Sequence, residues 1–245
     1  MTLIKKSLLC NSILIFLFSY SQLALGDASL ADQIQQYMQR QSNNKSASKF
    51  SQADIKVMTE AANSLAKAMP HPGLKIGDKA PDFNLPNAFG KKVQLSSLLH
   101  KGPVIINFYR GAWCPFCNLE LRALTKHVPE FKRYSATLVS ITPQKPDKSL
   151  KQVKKDKLPF DILSDLDSSV IKKYKLFFTM PGELVKVYKK LGLDIESFNG
   201  IGRNELPVPG TYVVDQKGII RAAFADTDYK KRMEPSAIIE ALKKL

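Results

Sequence analysis

The sequence predicts an α/β protein in which helices flank a central mixed β-sheet, preceded by an N-terminal helical extension. Two patterns carry this prediction. From residue 73 onward, short apolar runs typical of strands alternate with segments of helical spacing, whereas residues 27–72 show helical spacing only. With 245 residues, 44% of them hydrophobic, the chain is long enough to bury the core of one domain and to carry an extension.

The first 26 residues are predicted to form a secretory signal peptide. Lys5 and Lys6 give a positive start, residues 7–20 are mainly apolar, and Ala24 and Gly26 are small residues at the positions that a signal peptidase reads. The apolar run is short for a membrane span, which needs ~20 apolar residues. We therefore expect cleavage after Gly26 and export, to the periplasm if the source is bacterial and otherwise by secretion, with no membrane span in the mature chain.

Residues 27–72 are predicted to form a helical extension in which a polar linker at 42–48 joins two helices. Pro70 and Pro72 are expected to end the second helix. The apolar residues at helical spacing are Leu30, Ile34, Tyr37 and Met38 in the first helix and Ile55, Met58, Ala62, Leu65 and Met69 in the second.

Residues 73–245 are predicted to form the α/β domain. The run at 104–109 is almost continuously apolar, as expected of a strand that is covered on both faces. Pro235 is expected to open the last helix. Further strands are predicted at 137–141, 160–163, 212–214 and 219–224, and helices at 119–128, 148–157, 168–175 and 235–245.

The charge and the cysteine content limit the classes of function that the chain can have. The formal net charge is +15, and loss of Lys5 and Lys6 with the signal would leave +13. The lysines alternate with apolar residues, which favours solvated helix faces over a nucleic-acid surface, so no nucleic-acid partner is expected. Of the three cysteines, Cys10 would leave with the signal. The two that remain are too few for a disulfide scaffold and are predicted to use their thiols for chemistry.

Those two cysteines lie in the segment WCPFC, between the strand at 104–109 and a helix. Pro115 suits a first helical turn, so Cys114 is expected at the helix N-terminus, where free N–H groups and the helix dipole favour a thiolate. Cys117, one turn later, can attack a mixed disulfide or a sulfenic acid formed at Cys114. The alternatives are an inert buried pair or half of a zinc site. Zinc needs a second pair of ligands, and the histidines show no paired spacing, so no metal or other cofactor is expected.

The chain from residue 76 to 245 resembles the peroxiredoxins of the alkyl hydroperoxide reductase / thiol-specific antioxidant (AhpC/TSA) family, in particular a peroxiredoxin-like branch with a CxxC motif. The resemblance implies a thioredoxin-like fold and a peroxidase that reduces hydrogen peroxide or organic hydroperoxides. It also implies a sulfenic acid at Cys114, a Cys114–Cys117 disulfide, and recycling by a thioredoxin-like or small-molecule thiol. The matching segments are IGDKAPDFNLPNAFGKKVQLSSLL, INFYRGAWCPFCNLELRAL, LPFDILSD, LPVPGTYVVDQKGIIRAAFAD and DYKKRMEP.

The sequence departs from this family at positions that activate peroxide. Asn107 and Gly111 stand where the family carries Pro and Thr before the reactive cysteine. Pro209 stands where an arginine near the start of a late strand would approach the sulfur. Arg110 is a candidate substitute donor, and the alternative is a surface arginine in a loop.

Two features favour a rival function, an exported thioredoxin-like protein thiol-disulfide oxidoreductase. Trp113 precedes the first cysteine, as in the WCxxC of thioredoxin, and Pro209-Gly210-Thr211 resembles the cis-proline segment that faces the CxxC in disulfide reductases. That resemblance predicts a cis Val208–Pro209 bond beside Cys114, and Trp113, Pro209 and Thr211 as supporting residues. A metal-binding assembly factor is the third candidate, and the absence of a histidine after His127 argues against it.

Overall fold

The fold was analysed in a computed structural model that describes residues 28–43 and 50–245. The predicted signal peptide and most of the predicted linker therefore lie outside the described residues. In chain order the strands are β1 Asn84–Pro86, β2 Lys92–Gln94, β3 Val104–Phe108, β4 Thr137–Thr142, β5 Asp161–Ser164, β6 Phe177–Thr179, β7 Glu205–Pro207, β8 Gly210–Val214 and β9 Ile220–Ala225. The helices are α1 Leu30–Asn43, α2 Gln52–Ala68, α3 Leu95–Leu99, α4 Pro115–Arg133, α5 Pro146–Asp156, α6 Ser169–Lys173, α7 Gly182–Lys190, α8 Ile195–Asn199 and α9 Pro235–Leu242.

The central sheet has five strands in the order β5-β4-β3-β8-β9. Strands β3, β4 and β5 are parallel, whereas β8 is antiparallel to β3 and β9 is antiparallel to β8. Strand β3 is thus the centre of a mixed sheet, and the chain leaves its carboxyl end directly into the WCPFC segment. The predicted fold class is confirmed.

Both faces of β3 are buried, which explains why its residues are apolar except for Asn107, a buried side chain that donates a hydrogen bond to Thr211. Val104, Ile106 and Phe108 belong to the hydrophobic core on one face, with residues of β1, β2 and α6. Ile105 points to the other face, into a core formed with α4 and α9. Alternate side chains of a strand point to opposite faces, so a strand that is covered on both faces is apolar at almost every position.

Both helices predicted in the extension are present and pack on the rest of the chain. Leu30 and Ile34 of α1 pack against Leu119 and Ala123 of α4. The Glu234 carboxylate accepts hydrogen bonds from the first backbone N–H groups of α1, at 3.0 Å and 2.8 Å, where the helix dipole favours a negative charge. Helix α1 is therefore attached beside α4, the helix at whose start the cysteines lie.

Helix α2 lies against α7 and is held at its first turn. Ser51 and Asp54 form a reciprocal capping box, and Lys190 of α7 donates to the Asp54 carboxylate at 2.7 Å. The charge of Lys190 and the donors of Ser51 lower the pKa of Asp54 to about 2. The helix ends at Ala68, just before Pro70 and Pro72, as predicted.

The segment between α6 and β8 contains elements that the apolar pattern did not reveal. Strands β6 and β7 pair antiparallel in a separate two-stranded sheet, and α7 and α8 lie between them in the chain. The hairpin β1–β2 was also not predicted. Strands of three residues are too short to show a period of two. Among the described residues, no helix combines the length and apolar character needed to cross a bilayer.

Candidate active site

The backbone after β3 places Cys114 at the start of α4. Cys114 is the N-cap residue of this helix and Pro115 occupies its first position, as predicted. Gly111 has a φ of +146°, and a Cβ at this residue would lie 2.5 Å from Nε1 of Trp113. A glycine is therefore required for the turn between the strand and the cysteines.

A buried polar network holds this turn from the α5 side. Gln144 accepts a hydrogen bond from the Ala112 N–H at 3.0 Å, and Asn118 donates to the Ala112 carbonyl at 2.9 Å. Gln152 donates to Asn118 at 3.1 Å and accepts from the Tyr109 hydroxyl at 2.8 Å. The N–H and the carbonyl of Ala112 are thereby both fixed, which restrains the backbone two residues before Cys114.

Both cysteines are free thiols and both are buried, with 1% of Cys114 and none of Cys117 exposed. Burial raises the pKa of Cys114, but the adjacent Cys117 and the charges of Arg110 and Arg232 outweigh it and lower this pKa to about 6. Burial, together with the neighbouring Cys114 sulfur, raises the pKa of Cys117 well above its ordinary value. At neutral pH the dithiol thus consists of a Cys114 thiolate and a Cys117 thiol.

Arg110 is buried beside the cysteines, which excludes the alternative of a surface arginine in a loop. Its Nη2 donates to the Tyr188 hydroxyl at 2.9 Å, and its guanidinium lies 4.5 Å from the ring centroid of Tyr229 and 4.8 Å from that of Trp113. Burial disfavours the charge, but Tyr188 and the thiols outweigh it and raise the pKa of Arg110. Arg110 is therefore a fixed cation held among aromatic rings.

A second arginine, Arg232, approaches the sulfurs from the segment between β9 and α9. Its Nη2 lies 3.5 Å from Cys117 Sγ, and its Nε lies 3.2 Å from a carboxylate oxygen of Glu120. The side chains of Arg232 and Glu120 are 2% and 1% exposed. The family's arginine near the sulfur is absent at Pro209, as the sequence indicated, but a cation is supplied from elsewhere in the chain.

The buried charges of the site balance when Cys114 is ionised. Arg110 and Arg232 are cations at any working pH. Burial raises the pKa of Glu120, but its ion pair with Arg232 acts in the opposite direction and favours the anion. Glu120 then provides one negative charge, and the Cys114 thiolate provides the second. Because an unpaired buried charge is costly, this balance favours the ionised form of Cys114.

Several buried donors of the site have no hydrogen-bond partner among the described residues. They are Nε of Arg110, Nη1 of Arg232 and Nε1 of Trp113. Buried donors are normally satisfied, so a set of unpaired donors beside a thiolate is typical of a site that receives a ligand oxygen.

Thr211 contributes to the site through its contact with Glu120. It is 1% exposed, its hydroxyl lies 3.4 Å from a Glu120 carboxylate oxygen, and it accepts a hydrogen bond from Asn107 at 3.1 Å. Asn107, at the position of the family's proline, therefore supports the carboxylate that pairs with Arg232.

The prediction of a cis Val208–Pro209 bond is wrong: no cis peptide bond occurs among the described residues. The Val208 N–H donates to the Leu176 carbonyl at 2.7 Å, which ties this stretch to the segment before β6. Pro209 lines a cavity together with Arg110 and Tyr229.

Aromatic rings cover the dithiol. Phe116, between the cysteines, makes edge contacts with Tyr37 of α1 and with Tyr229, with distances of 5.4 Å and 5.5 Å between the ring centroids. Trp113 packs edge-on against Tyr188 at 6.1 Å. One helix of the extension thus contributes directly to the wall of the site.

Sequence reasoning missed Arg232 and Glu120. Arg232 lies in the DYKKRMEP segment that carried the resemblance, and Glu120 is a carboxylate flanked by Leu119 and Leu121 on the apolar face of α4. An acid on a buried helix face signals a buried cation, but the sequence does not identify which one. No group of three or more His, Cys, Asp or Glu side chains that could hold a metal occurs within residues 28–43 and 50–245.

A dithiol at the start of the helix that follows the central strand of a mixed sheet, with one thiol ionised and one protonated, defines a thiol-based redox protein of the thioredoxin-like fold. The AhpC/TSA family model matches residues 76–223. The chain therefore belongs to the AhpC/TSA family and is a peroxiredoxin-like protein, as the sequence indicated.

Curated relatives agree with this assignment. A Helicobacter pylori protein whose name assigns it to the bcp peroxiredoxins is 27% identical over 169 residues, covering 69% of this chain and 98% of that protein. Peroxiredoxin Bcp of Escherichia coli is 33% identical over 101 residues, covering 41% of this chain and 64% of that protein.

Solved structures show the same fold. The crystal structure of peroxidoxin BcpB from Mycobacterium tuberculosis superposes with a TM-score of 0.56 at 22% identity, covering 70% of this chain and 98% of that one.

Proposed function

We propose that the protein is a thiol-dependent peroxidase, an oxidoreductase that uses peroxide as acceptor, with Cys114 as the peroxidatic residue. The thiolate attacks one peroxide oxygen, the O–O bond breaks, and the other oxygen leaves with a proton as water or an alcohol. The sulfur gains an oxygen and becomes a sulfenic acid. The observation that carries the proposal is the lowered pKa of Cys114, about 6, at a helix N-terminus between two buried arginines.

The arginines support this step in different ways. Both favour the thiolate, and their unpaired N–H groups can donate to the peroxide oxygens, on which negative charge develops as the O–O bond breaks. This supplies the stabilisation that the family draws from its threonine and its strand arginine. Arg110 and Arg232 thereby compensate for the threonine and the arginine of the family, which are replaced here by Gly111 and Pro209.

Cys117 completes the cycle in this proposal. Its protonated thiol lies one helical turn from Cys114 and attacks the sulfenic sulfur, which forms the Cys114–Cys117 disulfide and releases water. A thioredoxin-like or small-molecule dithiol then reduces the disulfide, giving two thiols and an oxidised donor. The oxidised protein should remain a monomer on a non-reducing gel, because both sulfurs belong to one chain.

A stopped-flow measurement on the reduced full-length protein tests the proposal. Trp113, the only tryptophan, contacts Arg110 and reports on the site by its fluorescence. Rapid oxidation by hydrogen peroxide or cumene hydroperoxide is expected, with little activity in a parallel insulin-reduction assay. The opposite pattern would make the protein a thiol-disulfide oxidoreductase, and tight metal binding by the reduced dithiol would indicate an assembly factor.

Replacing Cys117 with serine is expected to leave the first step nearly intact and to stop recycling. Serine retains a hydroxyl beside Cys114 but cannot form a disulfide. After one equivalent of peroxide, mass spectrometry should show a sulfenic acid or a mixed disulfide at Cys114, whereas the wild type should show the internal disulfide. A variant that does not react at all would assign Cys117 a role beyond resolution.

We also propose that the protein acts after export. The support is the pattern of the first 26 residues, which resembles a signal peptide, and the retention of only the two site cysteines after cleavage. N-terminal sequencing of the protein isolated from its host should give a chain that begins at Asp27. A chain that retains its first residues and stays inside the cell would contradict export.

A further inference from the structure

A large apolar cavity adjoins the candidate active site. It has a volume of about 750 Å³ and lies between α2 on one side and the segment of β6 and α7 on the other. Arg110, Tyr229 and Pro209 also line it. This volume falls in the range of small-molecule sites, which is ~300–1,000 Å³, and far exceeds what hydrogen peroxide needs.

Helix α2 turns an incompletely buried apolar face toward this cavity. Met58, Ala61 and Leu65 line it, and each is only partly buried, although they lie on the inner side of the helix. The one fully buried residue of α2 is Asp54, in the first turn. The opposite wall is also apolar, with Phe177, Phe178 and Leu184 among its residues. The helix is thus anchored at its first turn, and residues of its middle, among them Met58 and Ala61, pack against the α7 cluster while also lining the cavity.

Arg110 gives one part of the cavity wall the polar character that a peroxide group needs. The residue is 5% exposed, and its positive charge also acts on the Cys114 thiolate. Cys114 itself does not line the cavity and is 1% exposed. A peroxide group must therefore pass Arg110 to reach the sulfur, and the Arg110–Tyr229 contact is the part of the wall that has to shift.

We infer that the cavity holds the organic part of a hydroperoxide with a bulky apolar group, and that α2 sets this preference. The inference rests on the proposed peroxidase function and deepens it. The apolar group would lie between α2 and α7, with the peroxide directed at Arg110. Residues 52–68 lie outside the stretch that matches the family, so this specificity is a property of the extension.

A cavity-filling substitution tests the inference. Ala62 and Ala53 are both exposed alanines of α2, but only Ala62 lines the cavity. In Ala62→Phe, kcat/KM for cumene hydroperoxide divided by that for hydrogen peroxide should fall at least about tenfold, the discrimination that a change in an apolar pocket can give. In Ala53→Phe this ratio should stay at the wild-type value. An unchanged ratio in Ala62→Phe would overturn the inference.

A binding measurement separates this inference from the proposed function. Cumyl alcohol, the product from cumene hydroperoxide, should change the fluorescence of Trp113 on titration and bind more weakly to Ala62→Phe than to Ala53→Phe. Equal binding to both variants would also overturn the inference. A wild type that binds the alcohol but reacts with no peroxide would instead refute the peroxidase function and leave the cavity as a binding site.

Discussion

Replacing Cys114 with serine is expected to abolish peroxide reduction, with a rate loss of more than about a thousandfold, as when a catalytic nucleophile is removed. The Cys114 thiolate exists at neutral pH because its pKa is about 6, whereas a serine hydroxyl stays protonated in the same place. Cys117 cannot replace it, because its pKa is raised and its thiol remains protonated. The measurement is the stopped-flow rate of oxidation by hydrogen peroxide.

In the full-length chain, which still carries the predicted signal peptide, Cys10→Ser provides the matched control, since it makes the same change at the one other cysteine of the sequence. It should react like the wild type. Peroxide turnover by Cys114→Ser above the uncatalysed rate would contradict the assignment of Cys114, and a loss of turnover in Cys10→Ser would place chemistry outside the described dithiol.

Replacing Arg232 with methionine is expected to lower the free energy of unfolding by about 3–5 kcal/mol, the usual cost of breaking a buried ion pair. The substitution leaves the Glu120 carboxylate buried without its cation, at a position where its side chain is 1% exposed. Urea denaturation measures the change. Converting Glu120 to leucine in the same chain removes the unpaired charge, so the double variant should be more stable than Arg232→Met alone.

Lys231→Met is the matched control for this loss. Lys231 is the preceding residue and pairs with Asp226 at 3.2 Å, but its side chain is 62% exposed. An exposed ion pair contributes only about 0–1 kcal/mol, so this variant should unfold almost like the wild type. Equal losses in the two variants would mean that the Glu120–Arg232 pair is not buried in solution.

The Arg232→Met variant should also change the pH dependence of the reaction. In the wild type, the rate with peroxide should fall as the pH is lowered through about 6, because Cys114 becomes protonated, and should be level above it. Arg232 is one of the charges that lower this pKa, so in Arg232→Met the midpoint should move to higher pH. An unchanged midpoint would show that Arg232 does not act on the thiolate.

The local sequence was sufficient to predict the position of the dithiol. An apolar strand, followed by a cysteine and a proline at the start of a helical pattern, specifies that Cys114 caps a helix, because each of these preferences depends on neighbouring residues. The two helices of the extension were predicted for the same reason, from apolar residues three and four positions apart.

The tertiary structure alone decided which charged groups surround the sulfurs. Arg232 is 115 residues from Cys117 in the sequence, and only the return of the chain after β9 brings them together. The sequence is compatible with Arg110 as a surface residue or as a site residue. The structure decides for the site, because Arg110 donates to the hydroxyl of Tyr188 in the unpredicted helix α7.

The cavity is likewise a product of distant elements, since one wall is α2 and the other is β6 and α7. The sequence by itself therefore determined the position of the dithiol, the helix at which it lies and the fold class, which depend on short-range backbone preferences. The tertiary structure decided which cations lower the pKa of Cys114 and what space lies beside the site, because burial and charge pairing depend on contacts between segments far apart in the chain.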